Sequence, residues 1–141
     1  MAMITFRQLI KTASPLMWAK LKFNERLHHN IITKNEDGNT IKIETDEDML
    51  LSDGDMLLSS EGIVLEIEAA NEEVTTVVAD KITLQKIIYF LGERHTFIEI
   101  KDSFIRYLPQ KELDEEIRKM GGKIFYEKVK FNPEPMTLKR F

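Results

Sequence analysis

The chain has 141 residues, 43% hydrophobic and 31% charged, which suits one ordinary or two small globular domains and excludes a largely disordered chain. Its 20 Lys+Arg against 24 Asp+Glu leave a formal net charge of -4, so nothing points to wholesale nucleic-acid binding. The absence of cysteine removes disulfides, zinc ribbons, iron–sulfur clusters and thiol nucleophiles, and fits a reducing compartment.

The stretch from Met1 to Leu21 is not a secretory signal, because Arg7, Gln8 and Lys11 cut its apolar run. No apolar run reaches the roughly 18 residues of a membrane span. A cytoplasmic protein with no membrane partner is expected. From about Leu16 to Ala70 the texture is short alternating runs and Gly/Asp turns. Ile31 to Thr33, the turn Asn35-Glu36-Asp37-Gly38-Asn39 and Thr40 to Glu44 read as a hairpin. Asp53-Gly54-Asp55 and Glu61-Gly62 are further turns, the second leading into a strand with Ile63, Leu65, Ile67 and Ala69 on one face. A small β domain over residues 1–72 is the expectation.

Asn71-Glu72-Glu73 reads as a polar break, and the texture changes after it. Val74 to Val78 predicts a buried strand. Leu84, Ile87, Ile88 and Leu91 then lie on one face of a helix, with Asp80 or Thr83 as its cap and Gly92 as its left-handed end. Thr96 to Lys101 and Phe104 to Leu108 predict two strands around Asp102-Ser103. A second helix follows Pro109, with Leu113, Ile117 and Met120 inward and Asp114–Arg118 and Glu115–Lys119 as ion pairs. Gly121-Gly122 stops it, Lys123 to Phe131 is a last strand, and Pro133 and Pro135 end regular structure. The order β-α-β-β-α-β is that of a ferredoxin-like domain, here residues 73–135, with 136–141 as a tail. The fold class expected is therefore α+β, an all-β domain followed by a ferredoxin-like one.

Phosphate-loop, nucleophile-elbow, zincin and dinucleotide motifs are all missing. Thr33 to Glu44 partly mimics a calcium loop, but Thr33 stands where the first Asp belongs and its flanks read as strands. The run Asp46-Glu47-Asp48 reads as a solvated loop. Three histidines remain, His28, His29 and His95. The adjacent pair would face opposite sides of a strand. His95 follows the helix stop at the head of the next strand, with Phe97 and Glu99 on its face. Alone it is more often structural than a ligand. In a two-fold dimer, however, a lone histidine near the axis becomes a pair able to share nickel, copper or zinc.

The stretch Phe90-Leu91-Gly92-Glu93-Arg94-His95 resembles the H-L-G-N-R-H signature of the urease accessory protein E family, nickel metallochaperones of urease maturation. Leu51-Ser52-Asp53-Gly54-Asp55-Met56-Leu57 is similar to that family's L-x-x-G-D-x-L stretch. Ala69-Ala70-Asn71-Glu72 with Val74, then Arg106-Tyr107 with Leu113 and Gly121, and finally Phe131-Asn132-Pro133-Glu134-Pro135 resemble further segments, in order, over about residues 25 to 135. The resemblance implies a peptide-binding-like N-terminal domain that engages urease apoprotein and other urease accessory proteins. It implies a homodimer through the C-terminal domains, in which His95 of each chain binds nickel, with zinc or copper as substitutes. It also implies a binding and delivery protein, not an enzyme. Against the family pattern, Phe90 replaces the first signature His and Glu93 the Asn. Pro109 and Lys111 stand where some members carry histidines, the Arg-rich strand reads Arg26-Leu27-His28-His29-Asn30, and no His-rich tail follows. Bulk nickel storage is therefore not expected. Further ligands are open, with Glu134, His28 and solvent as candidates and Glu93 or Glu99 as carboxylates to orient the ring. The alternative reading is a protein-interaction adaptor of the same fold without useful metal binding. An enzyme using Glu93 and His95 as acid and base ranks last.

Overall fold

The computed structural model describes residues 3–11, 14–46 and 49–133. The chain is mixed α+β and divides into two compact units, Met1–Ala70 and Asn71–Phe141.

The first unit is one six-stranded sheet in the order β2-β6-β5-β1-β4-β3. Its strands are β1 (Ile4–Ile10), β2 (Met17–Leu21), β3 (Asn30–Lys34), β4 (Thr40–Glu44), β5 (Met56–Ser59) and β6 (Val64–Ala69), with the single turn α1 (Phe23–Arg26) after β2. The hairpin β3–β4 pairs Ile31 with Ile43 and Thr33 with Ile41, as the alternation predicts. Gly38 takes the positive φ of 83° that its turn demands. β1 was not evident in the sequence pattern. It runs parallel to β4 and antiparallel to β5, with an irregularity between Phe6 and Gln8. Phe6, Leu21, Ile41, Ile43, Leu57, Leu65 and Ile67 are fully buried and form the core of this unit. The free side of β2 is closed at Trp18, whose N–H donates to Glu36 Oε2 at 2.6 Å and whose carbonyl accepts the Glu36 N–H at 3.1 Å.

The second unit is a four-stranded sheet in the order β10-β7-β9-β8, with every neighbour antiparallel. In chain order it runs β7 (Asn71–Val78), α2 (Lys81–Glu93), β8 (Glu99–Ile100), β9 (Phe104–Tyr107), α3 (Lys111–Lys119) and β10 (Lys123–Lys130). The expected polar break at Asn71-Glu72-Glu73 is the start of β7, paired with Lys130, Val129 and Lys128. Its polarity reflects position in the strand, not a linker. The strand expected over Thr96 to Lys101 shrinks to Glu99–Ile100, because residues 96–98 carry no ladder partner. Val77, Leu84, Ile87, Leu91, Ile105, Leu113 and Ile117 make the core of this unit.

The two ion pairs expected on α3 are replaced. Asp114 points inward and is almost fully buried, and Arg118 reaches the Tyr126 hydroxyl at 3.2 Å. Lys119 pairs with Glu116 at 3.4 Å. One face of this sheet lies away from the core-forming helices. Phe125, Thr76, Arg106 and Glu99 form one row across it by register. The Asn132 N–H donates to Glu99 Oε1 at 3.1 Å. The chain after β10 therefore returns over that face to the opposite edge, with Phe131 fully buried.

Candidate metal centre

The sequence places His95 at the end of a helix, and the helix explains its geometry. Asp80 caps α2 by accepting the Thr83 N–H at 2.9 Å, which holds its carboxyl below the usual range. Leu84, Ile87 and Leu91 are buried on one side, as their spacing requires. At the other end α2 runs on through Gly92 to Glu93, so Gly92 is not the left-handed residue. That position is taken by His95, with φ of 56°, the one non-glycine residue with positive φ among those described. The Thr96 N–H bonds the Leu91 carbonyl and the His95 N–H bonds the Gly92 carbonyl, both at 3.1 Å. This is the paired-bond helix ending in which glycine is the usual occupant. A side chain there costs on the order of 1 kcal/mol or more, and histidine is among those that tolerate it best.

The turn is held from within. The Arg94 guanidinium stacks 3.8 Å from the centroid of the Phe90 ring and donates to the Phe90 carbonyl at 3.4 Å. Phe90 in turn packs on the core of the unit. A cation over the last carbonyls also suits the negative end of the helix dipole. Glu93, Arg94 and His95 are all exposed. Glu99 is buried, and its carboxylate is engaged by the Asn132 N–H at 3.1 Å and by Lys101 Nζ at 3.3 Å.

Among the described residues no group of three or more His, Asp or Glu is placed to hold a metal ion. Glu134 lies outside the described residues, as do Glu47 and Asp48 of the acidic run and the tail 136–141. His28 and His29 precede β3 and do not lie on a strand, so strand alternation does not separate them. His28 is exposed, whereas His29 is half-buried with its Nδ1 lacking a hydrogen bond among the described residues.

Other residues singled out by sequence are architectural. In Leu51-Ser52-Asp53-Gly54-Asp55 the Asp55 carboxylate accepts the Ser52 N–H and Asp53 accepts the Ala69 N–H, both at 2.8 Å. Gly54 adopts φ of 89°. Burial pushes the Asp55 carboxyl up. The buried Arg26 donates to the Leu51 carbonyl at 3.2 Å. Arg106 lies 4.7 Å from the Phe104 ring and bonds Thr76 Oγ1 at 3.2 Å.

A buried network went unread in the sequence. The Asp114 carboxylate accepts the hydroxyls of Tyr107, Thr75 (3.1 Å) and Tyr126 (2.8 Å). Burial first, and then the carboxylate, push the Tyr107 phenol well above its ordinary value, so it remains a donor. The available signal was the position of Asp114 between the inward Leu113 and Ile117.

The family profile described as UreE urease accessory protein, C-terminal domain, matches residues 64–139. The urease accessory protein UreE of Alkalilimnicola ehrlichii is 31% identical over 94% of this chain and 83% of its own length. That of Proteus mirabilis is 33% identical over 91% of this chain and 80% of its own. That of Alcanivorax borkumensis is 30% identical over 89% and 71%. With a matched profile over more than half of its length and relatives spanning nearly all of it, the chain belongs to the UreE family of urease accessory proteins.

Proposed function

We propose that this protein is a nickel metallochaperone. It carries nickel as cargo at His95, paired with the same residue of a second copy, and delivers it to urease apoprotein during assembly of the urease active site. The observation that carries the reading is the left-handed conformation of His95. An exposed side chain kept where glycine is cheaper marks a position selected for its imidazole. The scarcity of neighbouring ligands supports a shared site. One chain offers no cluster of three His, Asp or Glu among the described residues, and a two-fold partner and water would complete the shell. An incomplete shell releases its ion readily to a better-furnished acceptor, which suits delivery, not catalysis. Zinc and copper, which also favour imidazole, compete for the site.

The element order and the strand order β10-β7-β9-β8 support a ferredoxin-like reading of the second unit, the metal-binding and dimer-forming one. The first unit is then the peptide-binding-like partner domain, engaging urease apoprotein or its other accessory proteins in the cytoplasm. The test is calorimetry with nickel beside sedimentation. One ion per two chains is expected for the native protein, and no comparable binding for a His95→Ala dimer. Unchanged stoichiometry and affinity in the variant would overturn the assignment. A native dimer that binds no nickel would leave the adaptor reading.

A further inference from the structure

Helix α2 contains two residues at which it could end, and it uses the less obvious one. Gly92 has no Cβ to strain in the left-handed region, so a helix stopping there would put glycine in its usual role. The chain instead keeps Gly92 inside α2, without a positive φ, and runs on to Glu93. His95 then takes the left-handed conformation. On backbone terms alone this choice is unfavourable twice. Glycine sits inside a helix, where it is a weak former, and a residue with a Cβ sits where glycine is least strained. Packing at Gly92 does not force the choice, since a Cβ placed there meets no atom within 4 Å.

The residues that favour the longer helix lie four apart, Phe90 and Arg94. The Arg94 guanidinium sits 3.8 Å from the centroid of the Phe90 ring and donates to the Phe90 carbonyl at 3.4 Å, and Phe90 packs on the core of the unit. The stack and the hydrogen bond both need residues 90–94 to form one continuous helical turn. A helix stopped at Gly92 would part the two side chains. It would also give up the bonds from the Thr96 N–H to the Leu91 carbonyl and from the His95 N–H to the Gly92 carbonyl.

We infer that Arg94, clamped on Phe90, is a positioning residue for metal capture: it selects the helix ending that presents His95 and suppresses the ending at Gly92. This rests on the nickel role proposed for His95, and it names what keeps that imidazole in place. The inference fixes a sign that charge alone would reverse. A cation beside a metal site repels an incoming divalent ion, so on electrostatics alone the loss of Arg94 would strengthen nickel binding. Loss of a positioning residue weakens it. Because the proposed site takes His95 from two chains, the competent fraction enters twice. Halving it in each chain lowers the affinity about fourfold.

The experiment compares the full-length native protein with Arg94→Ala, Phe90→Leu, Gly92→Ala and the double variant Gly92→Ala/Arg94→Ala. Phe90→Leu keeps the apolar packing and the Arg94 charge and removes only the ring. Without metal, amide exchange at His95 and Thr96 should quicken about threefold in Arg94→Ala and in Phe90→Leu, as loss of an exposed cation–π stack requires. The amide–α-proton coupling of His95 should move off its left-handed value. In nickel calorimetry both variants should bind about fourfold more weakly, still as dimers by sedimentation. Gly92→Ala removes the competing ending and favours the helix, so it should restore both protection and affinity to the Arg94→Ala chain. Unchanged exchange, tighter nickel binding in Arg94→Ala, or no rescue by Gly92→Ala would overturn the inference. Loss of the dimer in Arg94→Ala would overturn it too, because the weakening would then arise at the interface. Nickel bound equally by the native protein and both variants would sink the clamp and leave the proposed function standing. A native protein that binds no nickel, while exchange responds as expected, would overturn the proposed function and the capture role with it.

Discussion

Replacing His95 by glycine and, separately, by alanine isolates the backbone from the side chain. Both changes delete the imidazole, and with it every contact the ring makes. They differ in what they ask of the chain at φ of 56°. Alanine keeps a Cβ in the left-handed region, at a cost of about 1–2 kcal/mol. Glycine removes that cost and gives back about 0.5–1 kcal/mol through the greater freedom of its unfolded chain. His95→Gly should therefore be the more stable variant by about 1 kcal/mol. In a unit running from Asn71 to Phe141 that difference corresponds to about 4–8 °C in its unfolding midpoint. Calorimetric or circular-dichroism melts of the two variants, side by side, measure it. Under the proposed function neither binds nickel, so the more stable protein is inactive. Equal midpoints, or a less stable His95→Gly, would refute the claim that the helix ending carries strain at this residue and would remove the observation on which the function rests.

Three further outcomes follow from the packing and electrostatics. Gly122→Ala should destabilise the second unit by about 1–3 kcal/mol in a urea melt, because its Cβ would lie 2.7 Å from Ile117 Cγ2 and 3.0 Å from Val77 Cγ1; a neutral result would mean that the core yields there. Asp114→Ala strands the hydroxyls of Tyr107 and Thr75 and should cost about 3 kcal/mol, whereas Tyr126→Phe, at the exposed end of the network, should cost less; the reverse order would contradict the network. The Glu44 carboxyl, hydrogen-bonded first by Arg7 and then by Lys42, is held down at about 2 against an ordinary 4.5. Its folded value lies below its unfolded one, so its contribution to stability is complete above 4.5 and is lost as pH falls from there through 2. An NMR titration should place its midpoint near the lower figure, moving up with salt or in Arg7→Ala. A midpoint in the ordinary carboxylate range would rule out the pairing.

What the sequence could show depended on locality. The β3–β4 hairpin, the stripe of α2 and the Gly121 stop are short-range patterns, and the structure reproduces them. β1 escaped because its irregularity at Phe6/Gln8 breaks the alternation, and because its parallel partner β4 lies far along the chain. His95 was legible as a solitary histidine past a helix. Its conformation was not, since Gly92 offered the more usual left-handed residue. The stack of Arg94 on Phe90 accompanies a last turn that extends beyond Gly92. Asp114 departs from the expected ion pair, which rested on the rule that an acid four residues before Arg118 on a helix ordinarily faces water. Only the hydroxyls of Thr75, Tyr107 and Tyr126, brought in by separate strands, make it an interior residue.

The return of the chain after β10 carries the second unit beyond its last paired strand. A chain trimmed after Lys130 would keep every paired strand of the sheet, and by strand count it would look whole. Yet it would lose the buried Phe131 and Pro133, together with the N–H that fastens Glu99. β8 has only the residues Glu99 and Ile100, and a strand so short depends on such outside fastening. Four residues before Glu99 stands His95, so the tether at one end of the sequence steadies the turn that offers the imidazole. Trimming there would be felt at the far edge of the sheet, as slackness in the turn that carries His95.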